Sequence, residues 1–241
     1  MNGPNSTPST AGTDGADGGR PGSAGEHALQ RAEGSTERAE RFYREQVLDH
    51  LNPAMCAFVE RQEMLFVGTA DRHGECDCSF RAGPPGFVRV LGPRVLAYPE
   101  YRGNGVMASL GNLQENPHVG LVLIDFFRDV IGLHVNGTAQ VVPDEALRAA
   151  TRLPEPDHPG RVARLWVVVD VEEAYIHCAK HIPLLTRLPR QQHWGTDDHH
   201  RKGGDFFGAK AERATQTGLA AQAGVSAQAG VVSHAPAAAR V

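Results

Sequence analysis

The sequence predicts a mainly β protein, a six- to seven-stranded antiparallel sheet closed into a β-barrel with peripheral helices. Three observations carry this. The hydrophobic period switches from 3.6 to 2 after about the first quarter of the chain. The strand-like runs that follow are short and joined by tight turns, with few helices between them, which favours antiparallel pairing. A long sheet of this kind leaves exposed edges, and closure into a barrel removes them.

The elements follow in order. "ERAERFYREQVLDHL" sets Ala39, Tyr43, Val47 and Leu51 at steps of four, with Phe42 and Leu48 beside them, and predicts an amphipathic helix over 37–51. Asn52-Pro53 ends it and caps the next, with Pro at the first helical position. "AMCAFVERQ" is a short second helix with Met55, Phe58 and Val59 on one face. "MLFVGT" is the first strand and Asp71 to Gly74 its turn. "ECDCSFR" is the second strand, which "AGPPG" breaks. "FVRVL" and "RVLAY" are the third and fourth, joined at Gly92-Pro93. A helix over 106–115 ends at Asn116-Pro117. "HVGLVLID" is the fifth strand. In "VIGLHVNGTAQVV", Ile131, Leu133, Val135, Ala139 and Val141 share one face, and Gly132, His134, Asn136, Thr138 and Gln140 the other. "PDEALRAA" is a short helix and "RLWVVVDV" a seventh strand.

Composition limits the function. Residues 1–35 and 209–241 are poor in large apolar side chains and are expected to be disordered tails around one domain over 36–208. The net charge of −4 and the absence of a Lys/Arg block give no sign of nucleic-acid binding. No apolar run approaches the ~20 residues of a membrane helix. The N-terminus has no signal-peptide pattern. Four cysteines, Cys56, Cys76, Cys78 and Cys178, are too sparse for a disulfide framework, so a cytoplasmic setting is expected.

"YPEYRGNGVMASLGNLQENPHVGL" holds the one phosphate-like motif. Gly103, Gly105 and Ala108 satisfy G-x-G-x-x-A, and Asp125 follows about 20 residues on, as in a dinucleotide fingerprint. The neighbours argue against that reading. Pro99 to Arg102 separate the strand from the first glycine, the helix is short for a crossover, and no second βαβ unit exists. The plain alternative is a loop whose glycines take positive φ. The third is a phosphate site of another kind. The N-terminus of the following helix favours an anion, with Ser109 and Asn112 in or near its first turns and Arg102 and Asn104 before it. Arg81 ends the second strand near Ser79, and one such Arg with one helix N-terminus suits a phosphomonoester.

The series from "FVGTADRHGECDCSFR" through "RVLAY", the short helix, "ENP" and "HVGLVLID" to "GLHVNGTAQVV" resembles the pyridoxamine 5'-phosphate oxidase-like flavoproteins, the FMN-binding split barrel. "EAYIHCAKHIP" is similar to the tail strand of an uncharacterised bacterial branch. The resemblance covers residues 42–189. It implies a homodimer with FMN at sites between the subunits, and a small-molecule substrate or electron donor. By position it places Ser79, Phe80 and Arg81 on the flavin-contacting strand, Arg89 at that strand's lysine, and Tyr98 at the Tyr of the family's Y-T-N. The family's oxidases carry Ser-Arg-Lys for the phosphate where this chain has Arg102-Gly103-Asn104-Gly105. Their C-terminal Arg-x-His has no clear match. The resemblance implies flavin-dependent oxidoreduction with no named catalytic acid or base. A carrier or sensor of flavin, deazaflavin or haem is the alternative.

Other residues invite sharper readings. His177, Cys178 and His181 in "HCAKH" have the spacing of a helical metal pair, but they follow a strand, and packing or a cofactor-facing role is expected. Cys76 and Cys78 alternate on a strand and are expected to be small buried residues. His134 is expected to be solvated, with haem ligation the alternative. Asp170, Glu172 and Glu173 are expected to be solvated carboxylates at a strand end, and His199-His200 solvated. Trp194 is an exposed indole suited to covering a ligand or a dimer partner.

Overall fold

The structure, a computed structural model, describes residues 21–217. The tails expected over 1–35 and 209–241 thus lie largely outside the described residues. The described part forms two compact units. The first runs up to Asp157 and includes Arg161–Pro189; the second is His158–Gly160 with the chain from Arg190 onward.

The first unit begins with α1 (Ala24–Ala32) and α2 (Thr36–Gln46). Ser23 accepts from the Glu26 N–H while the Glu26 carboxylate accepts from the Ser23 N–H, a complete capping box. A helix thus begins within the stretch that composition assigned to a leading tail. Capping supplies local stability that apolar content does not register. The helix predicted over 37–51 stops at Gln46. Val47 is extended, and Leu48 exchanges backbone hydrogen bonds with Ala174 at 3.0 and 2.7 Å. A tertiary β-bridge overrides the helical period here. α3 (Pro53–Glu60) starts as expected, with Asn52 Oδ1 accepting from the Met55 N–H at 2.9 Å.

Seven strands follow: β1 (Met64–Ala70), β2 (Cys76–Ala82), β3 (Arg89–Gly92), β4 (Val95–Glu100), β5 (His118–Asp125), β6 (Ile131–Pro143) and β7 (Leu165–His177). Between them lie α4 (Ala108–Glu115) and α5 (Asp144–Ala150). All pairings are antiparallel, in the order β2-β1-β5-β6-β7-β4-β3. The sheet curls so that β2, at one edge, meets β4 near the other through an Arg81–Glu100 ion pair. This is a split β-barrel with peripheral helices. An all-antiparallel sheet has no βαβ crossover, so the dinucleotide reading of the glycine segment has no scaffold.

Side-chain alternation fills the inside. Leu65 and Val67, Leu121 and Leu123, Leu133 and Val135, Val167 and Val169, and Leu96 and Tyr98 form one core with Phe58 and Val59 of α3 and Leu110 and Leu113 of α4. A smaller cluster on the outer face of β4 and β7 joins Ala97, Trp166 and Val168 to Leu147 of α5. β7 runs six residues beyond the predicted "RLWVVVDV", with Glu172 extruded as a bulge: Gly137 faces Val171 but Asn136 faces Glu173. The extra residue resets the phase, so Val171 and Ala174 both turn inward. Glu172 and Glu173 therefore lie within a strand rather than at its end.

The second unit is a series of turns followed by a helical run over 209–217; Asp198 accepts from the His200 and Arg201 N–H groups in the turns, and Asp205 accepts from the Lys210 N–H at the start of the helical run. Trp194 is half-buried there, its backbone packed against Gly160.

Candidate functional site

β1 and β2 pair with Thr69 opposite Asp77, Val67 opposite Ser79 and Leu65 opposite Arg81. Period-2 alternation then puts Asp77, Ser79 and Arg81 on the barrel-facing side of β2. α4 lies across that side. Its residue Ser109 is 3% exposed and joins three of these groups. The Ser79 and Ser109 hydroxyls are 2.7 Å apart, Ser109 Oγ donates to Asp77 Oδ2 at 2.9 Å, and Arg81 Nη2 donates to Ser109 Oγ at 3.3 Å. Arg81 Nε donates to Glu100 Oε1 at 2.8 Å, and its Nη1 donates to the Phe80 carbonyl at 3.2 Å. One turn along α4, Asn112 Nδ2 donates to Thr69 Oγ1 at 3.1 Å.

α4 has no side-chain cap. Its N-cap residue Met107 is left-handed, with φ 55°. The first N–H groups of a helix have no partner within it, so they add to the donors already gathered at Ser109. The helix starts two residues later than predicted, because Gly105 (φ 82°) and Met107 both turn the chain.

Burial shapes the charges. Desolvation pushes the Glu100 carboxyl above the usual carboxylate range, and the Arg81 charge and hydrogen bond oppose it. Tyr98 is fully buried, and its hydroxyl has no hydrogen-bond partner. Burial, and then the Glu100 charge, push its ionisation upward while Arg81 pulls it back, so the hydroxyl shares the low-dielectric space of that ion pair. Arg89 Nε is likewise buried without a partner. Unpaired buried donors are rare in folded proteins and mark places where a ligand or water completes the bonding.

The structure thus brings together Ser79, Arg81 and Ser109, with Asn112 one helical turn away and Tyr98 lodged beneath. The other expected positions lie apart. Phe80 points to the opposite face of β2 and is 53% exposed. Asn104 accepts from the Val106 N–H within its own loop at 3.0 Å. Arg102 is exposed in that loop. Sequence reasoning missed Asp77, Glu100 and Thr69. Asp77 shares the parity of Ser79 and Arg81, and Glu100 that of Tyr98, so alternation alone pointed to both.

Elsewhere, Cys76 and Cys78 are exposed rather than buried, because among the described residues nothing packs over the outer face of the edge strand β2. His134 is half-buried rather than solvated. Its Nε2 lies 2.9 Å from His177 Nδ1, and its ring stacks on Tyr175 at 4.8 Å. Asp125 accepts from the N–H groups of Phe127, Arg128 and Asp129, and so organises a turn. Among the described residues no three His, Cys, Asp or Glu side chains gather as a metal site, and no helix is long and apolar enough to cross a membrane.

No curated protein matches. Among solved structures the chain is similar to HupZ of Group A Streptococcus, with 20% identity, 52% of this chain and 93% of that chain covered, and a TM-score of 0.37. It is also similar to HutZ, the haem storage protein of Vibrio cholerae, with 14% identity, 52% and 94% covered, and a TM-score of 0.34. General Stress Protein 26 of Bacillus anthracis shows 16% identity, 50% and 89% covered, and a TM-score of 0.34. The family model for pyridoxamine 5'-phosphate oxidase matches residues 51–178, just over half of the chain. That span opens at Leu51, takes in all seven strands and closes just after His177, and the chain therefore belongs to the pyridoxamine 5'-phosphate oxidase-like family.

Proposed function

We propose that this protein is an FMN-dependent oxidoreductase, acting as a homodimer on a small-molecule substrate or electron donor in the cytoplasm. One observation carries the reading: Arg81, Ser79 and Ser109 converge at the uncapped N-terminus of α4, beside a buried Tyr98 hydroxyl that has no partner. A guanidinium, two hydroxyls and helix N–H groups are the donor set a phosphomonoester requires. The residues therefore fit the phosphate end of FMN. Arg81 and Ser109 would hold it, Ser79 would orient Ser109, and Tyr98 would meet a further oxygen, while Arg89 pairs with Ala97 on the other face of the sheet. Bound flavin supplies hydride or two-electron transfer, which the protein tunes by hydrogen bonds and exclusion of water. Asn112, fixed on Thr69, holds the helix in register against β1.

The same donors suit the phosphate-bearing tail of a deazaflavin, and a carrier that binds without turnover would use them too. Haem has less support, since His134 Nε2 is already taken by His177. The test is the absorption spectrum of the purified full-length protein, followed by titration with FMN. Flavin bands, or a visible-band shift and raised melting temperature on adding FMN, are expected. A colourless protein that shows neither overturns the reading. FMN that binds but is not reduced by NAD(P)H or a partner reductase favours the carrier.

A further inference from the structure

Arg81 and Ser109 are the donors a phosphate needs, yet each already serves a carboxylate. Arg81 Nε is bound to Glu100 Oε1 at 2.8 Å, in a pair whose side chains are only 20% and 14% exposed. Ser109 Oγ is bound to Asp77 Oδ2 at 2.9 Å. A phosphate and Glu100 crowding one largely buried guanidinium would repel each other strongly where water is scarce. Asp77 belongs to β2 itself, whereas Glu100 reaches Arg81 from β4, across the split in the barrel.

We propose that Glu100 is a built-in competitor for the anion site: it holds Arg81 until a phosphomonoester takes the guanidinium, and is then released as the neutral acid, so that phosphate binding draws in a proton from solvent. The inference rests on the phosphate reading of this site. Its physical basis is the balance at Glu100. Burial favours the neutral carboxyl there, and the Arg81 charge and hydrogen bond are what oppose it. A phosphate on Arg81 removes that opposition and adds a negative charge nearby, and both changes favour protonation. The groups facing Glu100 are Arg81 from β2 and Tyr98 from β4, with Asp77 of β2 one hydrogen bond further on through Ser109. Among them Tyr98 is neutral, and its buried hydroxyl is a ready partner for a neutral carboxyl. The balance closes with one proton added to one carboxylate and no electron moved.

The experiment is calorimetric titration of the full-length protein with FMN at about pH 8, where a phosphomonoester is already dianionic. It is run in two buffers of different ionisation enthalpy. Wild type is expected to take up close to one proton per FMN bound, and riboflavin, which lacks the phosphate, to cause no uptake. Glu100→Gln is expected to bind FMN about tenfold tighter at that pH, because a neutral amide competes less well for Arg81. It is also expected to lose the gain in affinity that wild type shows as pH falls from about 8 to about 6.5. FMN binding without proton uptake overturns the competitor role and leaves the phosphate site standing. Tighter binding is also the opposite of what a positioning role predicts, so Glu100→Gln binding FMN more weakly than wild type assigns Glu100 to holding Arg81 in place and overturns the proposal. No binding of FMN by either protein overturns both readings. The two-buffer measurement on wild type stands even if the variant does not fold.

Discussion

Arg81 reaches three acceptors at once, Glu100, the Phe80 carbonyl and Ser109, and this fixes its planar guanidinium at the head of α4. Arg81→Ala is expected to weaken FMN binding about a hundredfold, on the order of 2–3 kcal/mol for a charge-assisted contact in a shielded site. Arg81→Lys should restore only part of this, because an ammonium is a point charge that cannot span the same three acceptors. Fluorescence titration of FMN measures both, and an Arg81→Ala protein within twofold of wild type would remove Arg81 from the site. Arg81, Ser79 and Ser109 were legible in the sequence, since each depends on local rules: strand alternation and helix N-terminal chemistry. The Glu100 contact was not, because it depends on β2 and β4 meeting across the split, with Arg81 and Glu100 nineteen residues apart in sequence and β2 at one end of the strand order and β4 next to the other. Nor did the sequence show that Tyr98 turns its hydroxyl into the core.

At the scale of elements, β6 and β7 were found by periodicity, but their bulge was not. An extra residue leaves no mark on composition, and it is visible only once both strands are paired. Gly137 sits opposite that bulge, where an added Cβ would lie 1.9 Å from the Asp170 carbonyl oxygen. Backbone cannot yield as a flexible side chain does, so Gly137→Ala is expected to destabilise the protein by about 3 kcal/mol or more. A thermal melt that moves by less than a few degrees would contradict this. The same strand pair carries His134. Burial, and then the charge of His177, hold its protonation below the usual value of 6.5. The unfolded chain therefore takes the proton more readily than the folded one. The stability linked to His134 is complete above 6.5 and is lost as pH falls below it. Melting temperature should thus decline between about pH 7 and pH 5, and His134→Gln should flatten part of that decline. A variant whose melts follow wild type at every pH would show that the histidine is thermodynamically silent.

The whole molecule turns one face of its sheet edge to solvent. Cys76, Cys78 and Phe80 alternate along the outside of β2, all exposed, and the Phe80 ring lies 5.5 Å from that of Phe66 on β1. The sequence placed small buried residues at those cysteines because alternation tells two faces apart but not which of them a neighbouring layer will cover. β2 therefore presents the proposed phosphate donors inward and an apolar edge outward. A homodimer that covered this edge would desolvate Phe80 and shield the donor cluster on the other side of the same strand from water. Light scattering of the full-length protein is expected to give twice the mass of one chain. Phe80→Glu places a charge in the centre of that contact and is expected to shift the mass to one chain and to weaken FMN binding with it, since burying an unpaired carboxylate costs several kcal/mol. If Phe80→Glu stays dimeric, the dimer uses another face. If it becomes monomeric but binds FMN as wild type does, the donor cluster of a single chain is sufficient, and the flavin does not depend on the partner.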